Sequence, residues 1–372
     1  MLNKWKAINN KQLIFYIIVA VCFIFSIFFV YNNHQFYDRP IAKVIQTEVT
    51  ETTETIDLYE NEDTLFTQQI TAEIKNGEEK GQRVQMVNEY SSSGAYDFSY
   101  KKGDELFVAV DKDNTSLTGN ITDVKRDKYL VIAMWIFIFT LLLVGKKQGL
   151  FATVSLAINM ILLSWALDLY VNTGLNLLWI SGITVVLFTI SSLLLVNGRN
   201  EKTYAAIITT VLGTSISLLI TYLAMWFTSE KGLYYEEMAF LTRPYQLVFL
   251  AGLFIGALGA VMDVAISISS ALYEFYQKDH NISNNALKKS GFNIGKDIMG
   301  TMTNTLLFAY ISGSIPILIV YFKNSSPLGF ALSLNLSLEM ARALSGGIGI
   351  VLTIPIGVYT TIYFINRKRA KS

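Results

Sequence analysis

One acidic residue lies in the middle of a long apolar segment. The segment, GLFIGALGAVMDVAISISS, covers residues 252–270, with Asp263 preceded by glycines and followed by serines. An acid in the middle of a membrane-length apolar run costs on the order of 3 kcal/mol on insertion scales, so its presence favours a function in binding an ion or a proton. A structural alternative stays open, in which Asp263 is simply protonated or is bonded by a hydroxyl such as that of Ser267.

Helical periodicity places Asp263 on a stripe of small and polar side chains, while Leu, Ile, Val, Phe and Ala occupy the other faces. The Gly-x-x-x-Gly spacing at its start is one that lets two membrane helices approach closely. We therefore expect the stripe to pack against protein, with its glycines as packing positions and Asp263 near mid-membrane. The last residue of the stripe, Glu274, is interpreted as a solvated helix end. The stripe comprises Gly252, Gly256, Gly259, Asp263, Ser267, Ser270 and Glu274.

Several polar residues enter the next apolar segment together. This segment contains GFNIGKDIMGTMTNTLLFAY at 291–310. We expect its polar side chains to face the Asp263 helix and to line a polar cavity. The alternative is that the hydroxyls bond to carbonyls of their own helix, which would account for Thr301 better than for Asn304. The predicted ion-, proton- or substrate-binding set is Asp263, Ser267, Ser270, Thr301, Thr303, Asn304 and Thr305.

Two further segments carry patterns that bear on function. Residues 203–228 contain a third stripe, Thr210, Thr214, Ser217 and Thr221, which favours a packing face over a pathway. The last segment reads LSGGIGIVLTIPIG at 344–357. Its glycines and Pro355 predict an interrupted helix with Pro355 as a hinge near mid-membrane, because many transporters use broken helices at that depth.

The composition predicts an all-α polytopic membrane bundle. Of the 372 residues 52% are hydrophobic and only 16% are charged. A run of ~20 apolar residues can cross the hydrocarbon layer, and the chain has about eight such runs. They are 13–31, 129–145, 149–171, 175–196, 203–228, 245–275, 299–322 and 343–365.

The polar residue types exclude several classes of site. The net charge of +1 suggests no nucleic-acid partner. Cys22 is the sole cysteine, and His34 and His280 lie far apart, so neither a disulfide framework nor a zinc site is expected. We expect no metal and no cofactor.

Charge placement predicts the topology. Basic residues follow alternate runs, and the tail NRKRAKS is basic, so both termini are expected in the cytoplasm. The first run reads as an uncleaved signal anchor rather than a signal peptide. Three domains are predicted. Residues 1–39 form the cytoplasmic start and the anchor helix, and residues 40–127 form a small extracellular β-rich domain, for which an OB-like barrel is one arrangement. Residues 128–372 form a seven-helix membrane domain with a basic tail.

Four long motifs resemble the YibE/F family of bacterial membrane proteins. They are YYEEMAFLT (234–242), IGALGAVMDVAISISSALYE (255–274), SGFNIGKDIMGTMTNTLLFAYISGSIP (290–316) and EMARALSGGIGIVLTIP (339–355). The resemblance covers the chain from about residue 125 onward, and the amino-terminal domain resembles the family only loosely. It implies a multi-pass protein of the cytoplasmic membrane.

A weaker similarity points to the SecD/SecF export components and their resistance-nodulation-division relatives. They too have a first helix before an extracellular domain. Their Asp-Ala-Asn-Val and Glu-Arg motifs are not reproduced, because here Val-Ala-Ile follows Asp263 and Phe follows Glu274. The similarity is therefore an analogy.

These patterns support two classes of function. The first is a secondary transporter or proton- or ion-coupled export component that uses Asp263; the alternative is a membrane scaffold or sensor whose β domain binds a partner. An enzyme is not expected and no catalytic residue is assigned, because an intramembrane aspartyl protease needs two acids and a Gly-x-Gly-Asp motif. The expected partners are the lipid bilayer and an unidentified substrate or protein, and an oligomer is compatible with the sequence.

Overall fold

The computed structural model describes residues 10–58, 60–94, 97–112, 117–238 and 244–370. The chain divides into two compact units, residues 1–140 and residues 141–372. Within the described residues, seven helices are long and apolar enough to cross a membrane. The predicted class, a helical membrane bundle with a small β domain near its start, is confirmed.

The seven helices differ widely in length. The second, α2, has 47 residues, or about 70 Å, more than twice the hydrocarbon thickness. Lys146 inside it has a non-helical backbone (φ 48°, ψ −119°) and separates two helical segments that correspond to the predicted runs 129–145 and 149–171. Counting these segments separately gives eight. The helices are α1 Asn10–Asn32, α2 Asp127–Thr173, α3 Leu177–Asn197, α4 Glu201–Thr228, α5 Tyr245–Lys278, α6 Asn284–Lys323 and α7 Leu328–Arg369.

Five strands of the first unit form a closed barrel. They are β1 Ile41–Ile56, β2 Glu62–Ile74, β3 Arg83–Ser91, β4 Glu105–Lys112 and β5 Leu117–Val124. Their order is β1-β2-β3-β5-β4, with β4 pairing back onto β1 and with β3 and β5 parallel. This is the OB-type arrangement considered from the sequence. Inward-facing residues such as Val44, Ile70 and Leu106 fill the core.

A buried ionic cluster joins the barrel to α1 and to the start of α2. Lys125 is 1% exposed, and its ammonium lies 2.9 Å from Asp127 Oδ1 and 3.2 Å from Glu105 Oε2. The same ammonium donates to the carbonyl of Val30 in the last turn of α1, at 3.0 Å. Asp127 also accepts a hydrogen bond from Asn33. One ammonium therefore bridges two carboxylates and a helix end, and His34 lies beside Glu105 as well, 3.2 Å from Oε1.

Helix α5 is central to the second unit and contacts α3, α4, α6 and α7. Its buried face consists of large apolar residues, among them Val261, Val264, Ile268 and Leu272, which are all fully buried. That face contributes more buried apolar residues than any other single helix of this unit.

Helix α7 is continuous, so the predicted interruption of the last helix is wrong. It remains helical through its glycines and through Pro355, and the assignment of Pro355 as a hinge stays a prediction. The glycines serve close packing instead. A Cβ at Gly349 would lie 3.0 Å from Val261 of α5, and one at Gly357 would lie 3.2 Å from Thr209 of α4.

Candidate functional site

The small-residue stripe of α5 lies on the surface and not in a packed seam. Gly252, Gly256, Gly259, Asp263 and Ser267 are all exposed. A Cβ at Gly252 or Gly259 would meet no atom within 4 Å, whereas one at Gly256 would contact the Tyr310 hydroxyl of α6. Within the described part of the chain the expected packing is met only at Gly256, and the packing of Gly252 and Gly259 stays a prediction. These glycines therefore face away from the neighbouring helices, whereas the large apolar side chains of the opposite face are buried between helices.

Asp263 has no protein partner in the described part of the chain. Its carboxylate forms no hydrogen bond and no ion pair there, and the expected hydroxyl donor, Ser267, is not bonded to it. The residue lies near the middle of the 34-residue helix, roughly 27 Å along the axis from Tyr245 and roughly 22 Å from Lys278. Asp263 is therefore an acidic residue at mid-helix that lies on an exposed polar stripe of α5.

The polar residues of α6 do not bond to Asp263. Thr301 donates to the carbonyl of Ile298, and Thr305 donates to that of Thr301, each at 2.9 Å, as in the alternative considered from the sequence. Asn304 is exposed, and Thr303 lies against Gly347 of α7. The predicted set thus falls into two groups, an α5 group on the stripe and an α6 group in which all but Asn304 bond to or pack against helices.

A polar cavity of about 320 Å³ lies where the start of α4 meets the ends of α5 and α7. Ser270 and Glu274 belong both to its lining and to the stripe. Ser270 lies about 10 Å along the helix axis from Asp263. The stripe therefore forms a row of polar positions from mid-helix to this cavity. The remaining lining residues are Asn200, Glu201, Lys202, Tyr273, Gln277 and Lys368.

The third polar stripe is a packing interface, as the sequence favoured. On α4, Thr210 and Thr214 are at most 2% exposed. Ser217 donates to the carbonyl of Ser345 at 2.6 Å, and Thr221 donates to the Ser345 hydroxyl at 2.7 Å. These bonds join α4 to α7 without leaving a pathway between them.

Two family models match the chain and together cover both units. The model described as YibE/F-like protein matches residues 133–367, which is more than half of the chain. The chain belongs to the YibE/F family. The YibE/F family N-terminal domain matches residues 35–124, so the resemblance includes the barrel, which the motifs did not reveal. Comparison with curated proteins and with solved structures finds no match.

Family membership and the long apolar helices show that this YibE/F chain is an integral membrane protein that passes the membrane several times. The matched region contains the whole stripe of α5 and every residue that lines the cavity except Lys368. In the motif at 234–242, residues 239–242 lie outside the described residues.

Sequence reasoning missed one charged pair in this YibE/F region. Glu339 and Arg342, three residues apart on α7, form an ion pair. The Arg342 guanidinium also lies 5.3 Å from the ring centre of Phe249 on α5. The last apolar run was taken to begin at residue 343, which left both outside it. The Glu-x-x-Arg spacing was the available signal, since residues three apart are neighbours on a helix.

Proposed function

We propose that this YibE/F protein is a secondary transporter or a proton- or ion-coupled export component, with Asp263 as the coupling carboxylate. One observation carries the proposal: Asp263 is unpaired at mid-helix on a polar stripe that continues through Ser267 and Ser270 to a polar cavity. A carboxylate with a purely structural function would be expected to have hydrogen-bond partners, since an unpaired one is costly. An open, unpaired acid is free to exchange an ion or a proton.

The same proposal assigns the protein to the cell membrane with both termini in the cytoplasm. The end of the second unit that holds the cavity is rich in cations, including Lys202, Lys278 and the basic last turn of α7. Positive residues favour the cytoplasmic side, so the cavity would open to the cytoplasm and the barrel would lie outside.

Transport is proposed in preference to catalysis. A nucleophilic or general acid–base mechanism needs a second group within hydrogen-bond reach of the first. Among the described residues Asp263 has no such partner. No cofactor is part of the proposal, because the coupling step needs only a carboxylate that changes its charge.

A membrane sensor is the second candidate function. It is favoured by the barrel, a separately closed domain with its own core that precedes the membrane helices. A sensor of this kind binds its partner at the barrel and does not need Asp263 to ionise. The two functions therefore differ in what they require of this one side chain.

Complementation of a chromosomal deletion separates them. Asp263→Asn keeps the volume and most of the hydrogen-bonding capacity but can never ionise. We expect this variant to reach normal levels in the membrane and to lose function, with Asp263→Glu partly active. Asp168→Asn is the control, since Asp168 is an exposed acid on α2 whose carboxylate already accepts from Asn172 at 3.0 Å. Full complementation by Asp263→Asn would refute ion coupling and favour the sensor.

A labelling experiment tests the carboxyl without knowledge of the substrate. Dicyclohexylcarbodiimide modifies protonated carboxyls in apolar surroundings. In lipid nanodiscs we expect modification of Asp263 that decreases as the pH rises. Glu274, which is exposed and paired to Lys278 at 2.8 Å, should stay unmodified. A lack of modification at Asp263 at every pH would show that it does not exchange a proton.

A further inference from the structure

A polar groove of about 310 Å³ lies on the outer surface of the barrel beside the junction of β3 and β5. These two parallel strands pair at one position, Gln85 with Thr118, so the barrel is least tightly closed here. The groove belongs to the first unit, and what it binds is independent of the transport proposed for the second.

The strand register aligns four polar residues across the groove. Thr71 pairs with Gln85, Gln85 pairs with Thr118, and Thr118 pairs with Asp111. Paired residues on neighbouring strands point to the same side of a sheet. With strands ~4.8 Å apart, the row crosses four strands and extends over roughly 14 Å. Gln69 and Asn120 flank it in the same groove.

These six side chains have unused hydrogen-bonding capacity. None of them donates or accepts a hydrogen bond within the described part of the chain. Five are exposed, and Thr71 is half-buried. The groove thus presents three amides, two hydroxyls and one carboxylate to a ligand, a mixture of donors and acceptors at fixed spacing.

We propose that this groove binds a neutral oligosaccharide. Amides, hydroxyls and a carboxylate match the alternating donors and acceptors of sugar hydroxyls. The lining contains a carboxylate and no Lys, Arg or His, which disfavours phosphate-rich ligands such as oligonucleotides. Val87, which is 60% exposed, is the main exposed apolar side chain of the groove. Its apolar surface is large enough to contact the face of one sugar ring. A folded protein or peptide partner would normally need larger apolar anchors.

Binding to the full-length protein in nanodiscs tests the proposal. The probes are maltotetraose, cellotetraose and chitotetraose, with octathymidylate and a neutral octapeptide for comparison. We expect at least one saccharide to bind with a Kd of about 1 mM or tighter. The double variant Gln85→Ala/Asn120→Ala should bind it about tenfold more weakly or worse, because two hydrogen bonds are lost. Gln46→Ala is the matched control, since Gln46 is an exposed glutamine of β1 outside the groove.

A second measurement does not depend on the variants. In the wild-type protein, saccharide should slow hydrogen exchange in β3 and β5 and leave the exchange of the helices unchanged. The proposal is overturned if no saccharide binds, if protection appears elsewhere, or if the peptide or the oligonucleotide alone binds. Equal binding by a double variant whose melting temperature is unchanged would also overturn it.

Discussion

Lys125→Met tests the buried ionic cluster that joins the barrel to its two helices. Methionine keeps the length and apolar stem of lysine but removes the charge. The Glu105 and Asp127 carboxylates and the carbonyl of Val30 would then lose the ammonium that lies 2.9–3.2 Å from them. Removing one partner of a buried ion pair costs about 3–5 kcal/mol, because the remaining charge loses its counter-charge. The carboxylates would keep only His34 beside Glu105 and neutral donors such as Asn33 on Asp127. With Lys125 only 1% exposed, little screening by water is available.

Thermal unfolding provides the measurement. A loss of 1 kcal/mol shifts the melting temperature of a domain of about 60–100 residues by about 4–8 °C. The barrel, which runs from Ile41 to Val124, is of this size, so it should melt at least about 12 °C lower. Lys75→Met is the matched control. Lys75 lies 2.6 Å from Glu73, but both side chains are partly exposed, and such a surface pair is worth below about 1 kcal/mol. Equal melting temperatures for the two variants would refute the structural importance of the cluster.

Added salt distinguishes the two pairs further. A surface pair is screened at high ionic strength, whereas a buried one is screened much less. The difference between Lys125→Met and wild type should therefore persist in 1 M salt, where the Debye length is about 3 Å. A difference that disappears in salt would mean that the cluster is open to solvent.

Two other predictions concern packing and ionisation. Gly295→Ala should lower the melting temperature by the equivalent of about 1–3 kcal/mol of overpacking, since its Cβ would overlap Ile354, with Ile354 Cγ1 only 2.9 Å away. Gly300→Ala on the same helix should have no such effect, because no atom lies within 4 Å, and equal behaviour of the pair would contradict the close packing of α6 on α7. Hydrogen bonds from the Ser92 and Ser93 hydroxyls lower the pKa of Asp63 to about 2. The ionised form is the stabilised one, so this contribution is present above the ordinary carboxyl pKa and is lost as the pH falls through about 2. An NMR titration should show the low midpoint, and Ser92→Ala should raise it; an unchanged midpoint would count against these bonds.

The sequence determined the periodic features of this protein. Apolar runs of membrane length located the helices, because only a helix satisfies its backbone hydrogen bonds within the bilayer. The helical period of 3.6 residues placed Asp263, Ser267 and Ser270 on one face of α5. It also placed the buried hydroxyl-bearing residues of α4, such as Thr210 and Thr214, on one face of that helix. The sequence also predicted a β-rich domain at residues 40–127, and the long motifs indicated the YibE/F family.

The sequence alone could not determine which way each face turns. Periodicity defines a stripe but not its partner: of the three glycines of the α5 stripe, only Gly256 meets another helix in the described part of the chain. Glycine and proline in α7 suggested a break, yet they lie in a continuous helix, since neighbouring helices pack closely against it. Each outcome depends on how closely the side chains of neighbouring helices pack together, which the period of a single helix does not specify.

Contacts between residues far apart in the chain were decided by the tertiary structure alone. Lys125 meets Val30 across 95 positions, and Ser217 meets Ser345 across 128. The cavity near Ser270 joins residues from three helices, and the barrel row joins four strands. Local propensity and period carry no information about such pairs, because their energies arise only once the elements have packed together.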